Sequence, residues 1–199
     1  MKFKQVRHLL WCDLETSSLP KKNDYSGVHI LEVGVILTDM SLNKLGGYSE
    51  VIKMTDEAAD SLRKTPGVLE MHKSSGLLKD CVNATMTVPD VESEILALLD
   101  DNNVEVQAVA LAGSGVTAFD HPVIKEHMPL LAEALTYFSY DIGSFRRMFK
   151  LVSGGTPIVN PSNHSYGPTK KHRAMEDIKA HLEEAEEYME AVKKLLPPF

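Results

Sequence analysis

Asp13 and Glu15 stand two residues apart directly after an apolar run, Val6–Cys12. In an extended chain residues two apart project from the same side. Two carboxylates held together at a strand end repel each other and resist desolvation, and a divalent cation between them relieves both problems. A D-x-E pair alone is a weak motif, because a strand that has reached solvent reads the same way. Asp120 follows Phe119 in a strand–turn–helix passage, the place where α/β sheets bind ligands, although a helix N-cap would also account for it. The third group is His172-Arg173-Ala174-Met175-Glu176-Asp177, at the start of a long helical pattern. His172 and Asp177 lie about 140° apart on a regular helix, so His172 must sit at or before the first turn to converge with Asp177. Asp177 borders an apolar stripe, and a buried acid needs a partner.

The elements that have to position these residues are legible in the apolar pattern. Val6–Cys12, Val28–Thr38 and Tyr48–Met54 read as three consecutive strands, with turn chemistry at Ser41–Gly47, and therefore as an antiparallel meander. Thr55–Lys73 reads as helical or irregular, with a break at Thr65-Pro66-Gly67. Pro89 opens a helix carrying Val91, Ile95, Leu98 and Leu99 at helical spacing. Val104–Ala112 is a buried strand stopped by Gly113-Ser114-Gly115. A helix follows from about His121, then a strand at Tyr137–Ile142 and a short helix at Ser144–Val152. Ser153–Thr169 reads as a long loop. Ile178, Leu182, Ala185, Met189, Val192 and Leu196 form one apolar stripe of the last helix. Glu183, Glu184, Glu186, Glu187 and Glu190 lie off that stripe and read as a solvated face. Strands followed by strand–helix alternation indicate an α/β fold around a mixed sheet.

Composition narrows the function. The chain has 199 residues, 28 acidic and 21 basic side chains and a net charge of −7. A protein that grips duplex DNA along its length needs a basic surface, so that class is excluded. What basic residues there are (Arg146, Arg147, Lys150, Lys170, Lys171, Arg173) flank the segments leading to His172 and read as a small local patch. Cys12 and Cys81 form neither a metal spacing nor a disulfide framework, which fits free thiols in a reducing compartment and a cytoplasmic protein. No window is apolar enough for a membrane span. Serine-hydrolase, zincin and P-loop signatures are missing. Gly113–Ala118 fits G-x-G-x-x-A, a dinucleotide-binding pattern and the basis of an alternative, non-catalytic nucleotide-binding module. Pro122 sits where that motif's helix should continue.

The three groups in this order resemble the motifs of the DEDDh 3′–5′ exonucleases: Trp11-Cys12-Asp13-Leu14-Glu15-Thr16 with Leu19, then Phe119-Asp120, then His172-x-Ala174-x-x-Asp177. Within that family the chain is similar to the oligoribonuclease branch, through W-x-D-L-E-x-x-x-L from Trp11 to Leu19, through His72, Ser75, Gly76 and Leu77, and through His172 to Ile178. The resemblance implies a ribonuclease H-like α/β fold, a five-stranded mixed sheet flanked by helices, as a single exonuclease domain over 1–199. It implies two divalent cations, Mg²⁺ or Mn²⁺, on Asp13, Glu15, Asp120 and Asp177, with His172 as general base. The implied partner is short single-stranded RNA or DNA with a free 3′ end, released as nucleoside 5′-monophosphates. A DNA-directed proofreading or trimming enzyme of the same superfamily is the alternative. Leu19 would wedge against the terminal bases, His72 and Ser75 would touch phosphate or sugar, and Leu14, Thr16, Ser114 and Phe119 would line the substrate site. A homodimer is implied by the resemblance as well. The family's tryptophan before His72 and its arginine before the aspartate of the fifth strand are absent here, near Gly67 and around Phe138 and Ser139.

Overall fold

The computed structural model describes residues 4–22, 24–155 and 172–195. β1 (His8–Thr16), β2 (Ile30–Asp39) and β3 (Lys44–Val51) form the expected antiparallel meander. Then come α1 (Asp56–Arg63), α2 (Pro66–Ser74), α3 (Leu77–Asn83) and α4 (Val88–Asp101). β4 (Val109–Gly113), α5 (Asp120–His127), α6 (Pro129–Ala134), β5 (Leu135–Asp141), α7 (Ile142–Val152) and α8 (Ala174–Leu195) follow among the described residues. The sheet order is β3-β2-β1-β4-β5, with β1, β4 and β5 parallel and the first three strands antiparallel. The chain is thus α/β around a five-stranded mixed sheet.

Side-chain alternation along β1 divides the core. Leu10, Cys12 and Leu14 face Val91, Ile95, Val123, Ile124 and Leu131, from α4, α5 and α6. Leu9 and Trp11 face Ile142, Phe149, Ile178, Ala185 and Tyr188, from α7 and α8. Leu31 joins α1 and α3 in a third cluster with Ala58, Leu62, Leu77 and Cys81. β1 is therefore covered on both faces, as a central strand requires. Its indole is also tied across the meander, Trp11 Nε1 donating to Thr38 Oγ1 at 3.1 Å.

Several expectations are corrected. β1 does not stop at Cys12: pairing with β2 carries it to Thr16, so Asp13 and Glu15 lie within the strand. β3 starts at Lys44, inside the segment read as turn, because Gly46 and Gly47 pair with Leu37 and Ile36. β4 is shorter than Val104–Ala112, since Val104–Ala108 turns back onto Leu99 and Glu105. β5 and α7 each begin two residues earlier than their patterns suggest. Glu184 is not on a solvated face. It is 2% exposed, and both its oxygens accept from Arg146 on α7. The loop read over Ser153–Thr169 lies outside the described residues from 156 onward, as do Lys170, Lys171 and Leu196.

Candidate active site

The site forms where β1 outruns β4. The parallel ladder between them covers His8–Trp11, so beyond Trp11 one edge of β1 is open. Gly113 ends β4 at φ +150, and a Cβ there would lie 2.7 Å from the Cys12 carbonyl oxygen, which only glycine avoids. The chain turns away through Gly115 and returns at α5, where Asp120 Oδ1 accepts the Leu14 backbone N–H at 3.1 Å. Asp120 is thereby delivered beside Asp13.

Burial pushes the Asp120 carboxyl up to about 7, the Asp141 carboxylate adds to this, and backbone N–H donors from Leu14 and Asp120 itself oppose it. Burial likewise raises the Cys12 thiol well above its usual range, helped by the charges of Asp120 and Asp13. The glycine-rich stretch that resembled a dinucleotide loop is thus a packing and turning device, and α5 starts only at Asp120.

Asp13 and Glu15 continue the face of Leu9 and Trp11, the face covered by α8. Across the β1–β2 ladder Asp13 pairs with Gly34 and Glu15 with Glu32. At Gly34 a Cβ would lie 2.8 Å from Ile178 Cδ1 and 3.0 Å from the Ala174 and Met175 backbone. This bare position lets the first turn of α8 lie directly on the strands. Asp177 is brought in buried, at 3% exposure. His172 precedes the helix at φ +47, the left-handed region that a non-glycine residue enters only when its surroundings hold it there. The result is convergence: one ligand atom each of Glu15, His172 and Asp177 lie within 4.8 Å of one another.

His72 is placed differently from the expectation. Its ring is fully buried, so it is closed to a substrate. Nε2 lies 2.9 Å from the Thr16 carbonyl oxygen, which can only accept, so Nε2 carries the proton. Nδ1 is a buried atom without a hydrogen-bond partner, facing Glu15 at 3.8 Å. Burial holds this imidazole below its usual pKa. His72 therefore supports the strand end from behind. Ser75 caps α2 and donates to the His72 carbonyl.

Leu14 is core and meets the site through its backbone. Thr16 is buried, its hydroxyl donating to Ser18 O. Phe119 is half-buried against the same core at the start of α5. Ser114 is half-buried beside Arg146. Leu19 is 66% exposed, on the rim of a cleft of about 510 Å³ between the loop after β1 and α1.

The local basic patch is corrected too. Arg146 is paired with Glu184, and Arg173 with Glu32 and Asp80, so both guanidinium groups serve the fold. Glu32 and Gly34 were the residues missed by sequence reading. Their signal was the spacing Glu32-x-Gly34 on a strand that has to lie against Asp13-x-Glu15.

The donor set fits hard divalent cations. It consists of carboxylate oxygens and one imidazole, gathered at a buried strand end. Comparison with known proteins gives the same direction. The Exonuclease (RNase_T) family model matches residues 10–185. The chain therefore belongs to the exonuclease family, the 3′–5′ exonucleases of ribonuclease H-like fold, and is a phosphodiester hydrolase. In that family it stands close to the oligoribonucleases. It is 33% identical to the oligoribonuclease of Corynebacterium efficiens over 183 residues, 90% of this chain and 76% of the relative. Mouse mitochondrial oligoribonuclease is 28% identical over 192 residues, 95% of this chain and 75% of the relative. In fold it is similar to E. coli exonuclease I solved with a 5cy-dT13 oligonucleotide, at TM-score 0.62 and 14% identity. That likeness covers 96% of this chain but 42% of the exonuclease I chain, so this chain spans less than half of it.

Proposed function

We propose that this exonuclease removes nucleotides from the free 3′ end of short single-stranded RNA, releasing nucleoside 5′-monophosphates. The reading rests on the convergence of Glu15, His172 and Asp177, drawn from opposite ends of the chain into one 4.8 Å group beside Asp13 and Asp120. Asp13, Glu15, Asp120 and Asp177 would hold two divalent cations, Mg²⁺ or Mn²⁺. When bound, such ions lower the pKa of water and stabilise charge on the phosphodiester oxygens. His172, whose side-chain type titrates near neutrality, takes the proton of the attacking water. The water oxygen bonds to phosphorus, the bond from phosphorus to the 3′ oxygen breaks, and the departing 3′ oxygen takes up a proton.

Leu19, exposed on the rim of its cleft, would meet the terminal base. Thr16, Ser75, Ser114, Phe119 and the Leu14 backbone would bound the substrate site. The substrate class is supported by the oligoribonuclease relatives, which share about a third of their residues with this chain over nine-tenths of its length.

We read the chain as one exonuclease domain, working as a homodimer in the cytoplasm. Exposed apolar side chains on the edge strand β5 and on α7 (Tyr137, Phe138, Phe145, Met148 and Leu151) support self-association. Both cysteines are buried and free, which suits a reducing compartment. Among the described residues no helix is long and apolar enough to cross a membrane.

The test is release of mononucleotides from labelled oligonucleotides with Mg²⁺ or Mn²⁺ present. Asp13→Ala and Asp177→Ala should abolish it, and unchanged activity in either would overturn the site. A series of RNA and DNA lengths tests the substrate: preference for long single-stranded DNA over two-residue RNA would replace the RNA reading with the DNA-directed one. Sedimentation of the full chain tests the dimer.

A further inference from the structure

We propose that Glu32 is a positioning residue for the reaction, acting through Arg173 to set where His172 and Asp177 stand. Asp13 and Glu15 have two residues opposite them on β2, Gly34 and Glu32. Gly34 clears the space for the first turn of α8, and Glu32 captures it. The Glu32 carboxylate is 4% exposed and sits in cross-strand register with Glu15. Two like charges directly opposite each other are unfavourable in a sheet. Glu32 could therefore have been a further metal ligand. Its hydrogen bonds assign it otherwise. Both oxygens accept from Arg173 Nε, at 3.1 and 3.0 Å, and Oε2 also accepts the Ala174 backbone N–H at 3.1 Å.

That second bond makes Glu32 the cap of α8 from another element. The first amides of a helix lack intrahelical partners, and a carboxylate there is favoured by the helix dipole as well. Arg173 is then held a second time, Nη1 donating to Asp80 Oδ2 on α3 at 2.9 Å. The residue just before this doubly anchored arginine is His172, in its strained left-handed conformation. The residue one turn beyond the captured amide is Asp177. A planar guanidinium with ligands on two sides orients more rigidly than a point charge would, so lysine is no substitute for Arg173. Glu32 and Arg173 thus bracket the two α8-side catalytic groups, while their charges neutralise each other and stay out of the metal site.

This inference rests on the site reading above, and the experiment separates the two. Glu32→Gln, Arg173→Lys and Asp80→Asn are assayed in the full chain with a short RNA and saturating Mn²⁺, alongside His172→Ala and Asp177→Ala. A misplacement of about 1 Å in a catalytic group costs about 10²-fold in rate. Glu32→Gln and Arg173→Lys should therefore each lower kcat by about 100-fold with KM within threefold of the parent, and Asp80→Asn, at an exposed anchor, by about threefold. Ring resonances of His172 should shift in Glu32→Gln while those of His72 stay. A kcat within threefold of the parent for both Glu32→Gln and Arg173→Lys, with His172→Ala and Asp177→Ala inactive, would overturn the positioning role and leave the site intact. Activity retained in His172→Ala and Asp177→Ala would overturn the site itself. Circular dichroism melts decide whether a variant folds. Should Glu32→Gln fail to fold, Arg173→Lys, which keeps the charge, carries the test, and equal losses in kcat and in folded fraction would count against positioning.

Discussion

Two helices deliver a carboxylate to the same strand end, and they do so by different physics. α8 is captured at its start by charge: Glu32 and Asp80 hold Arg173, Glu32 accepts the first amide, and Gly34 opens the floor beneath it. α5 has no side-chain cap, and its first residue Asp120 is held by the Leu14 N–H while buried deeply enough to lift its carboxyl to about 7. The start of α8 is thus preassembled, its anchoring charges Glu32, Arg173 and Asp80 satisfying one another. The α5 side carries a desolvated carboxylate that a cation would relieve. The difference teaches that one helix start is fixed by ion pairs within the fold, while the other leaves a buried acid at the strand end.

The strongest test of this contrast is a pair of variants. Asp120→Asn and Asp177→Asn should both lower turnover by at least about 10³-fold, measured as mononucleotide release. In chelator they should separate. The folded pKa of Asp120 is raised above its ordinary 3.8, so the folded state binds the proton more tightly and stability falls as pH rises from about 4 through about 7. Asparagine keeps the acceptor for Leu14 N–H and removes the charge. Asp120→Asn should therefore melt a few degrees higher than the parent at pH 8 and together with it at pH 4. Equal melting at pH 8 would remove the desolvation half of the comparison.

Gly34→Ala attacks the other half. The new Cβ would press on Ile178 and the α8 backbone, leaving the Asp120–Leu14 contact alone, so turnover should fall about 100-fold without loss of fold. Mn²⁺ should raise the melting temperature of the parent by several degrees at a hundredfold excess over its dissociation constant, and by much less in Asp120→Asn. The smallest effect on turnover is expected from Glu184→Gln. This loosens the second tie of α8, the Arg146 pair far along the helix, at about 1–3 kcal/mol of stability and less than a threefold change in kcat. A large loss of rate there would mean that the start of α8 does not control the site by itself.

Reading from sequence proposes members for the site, and the structure shows how Glu15, His172 and Asp177 come to lie together. Asp13, Glu15, Asp120, His172 and Asp177 carry their chemistry in residue type and order, and the apolar periodicities marked the strands and helices bearing them. Glu32 looked like one more acid in a β-branched run, since nothing local says that it faces a helix start far along the chain. His72 and Glu184 went astray for a related reason. A titratable side chain is expected to face solvent or substrate unless a partner lies within reach, and their partners are Thr16 and Arg146, distant in sequence. The ends of β1 and β3 shifted because pairing with a neighbour extends a strand through Asp13 and Glu15 or through Gly46 and Gly47, which propensity alone would exclude.

What the sequence determined by itself is the alternation of strand and helix, the acids and the histidine able to hold cations and move a proton, and the family in which that ordered set recurs. These are properties of residue type and short spacing. Only the tertiary structure decided which acids face the site and which are consumed in holding it. That choice depends on cross-strand register and on how closely a helix start can lie against two strands, and both are set by long-range packing.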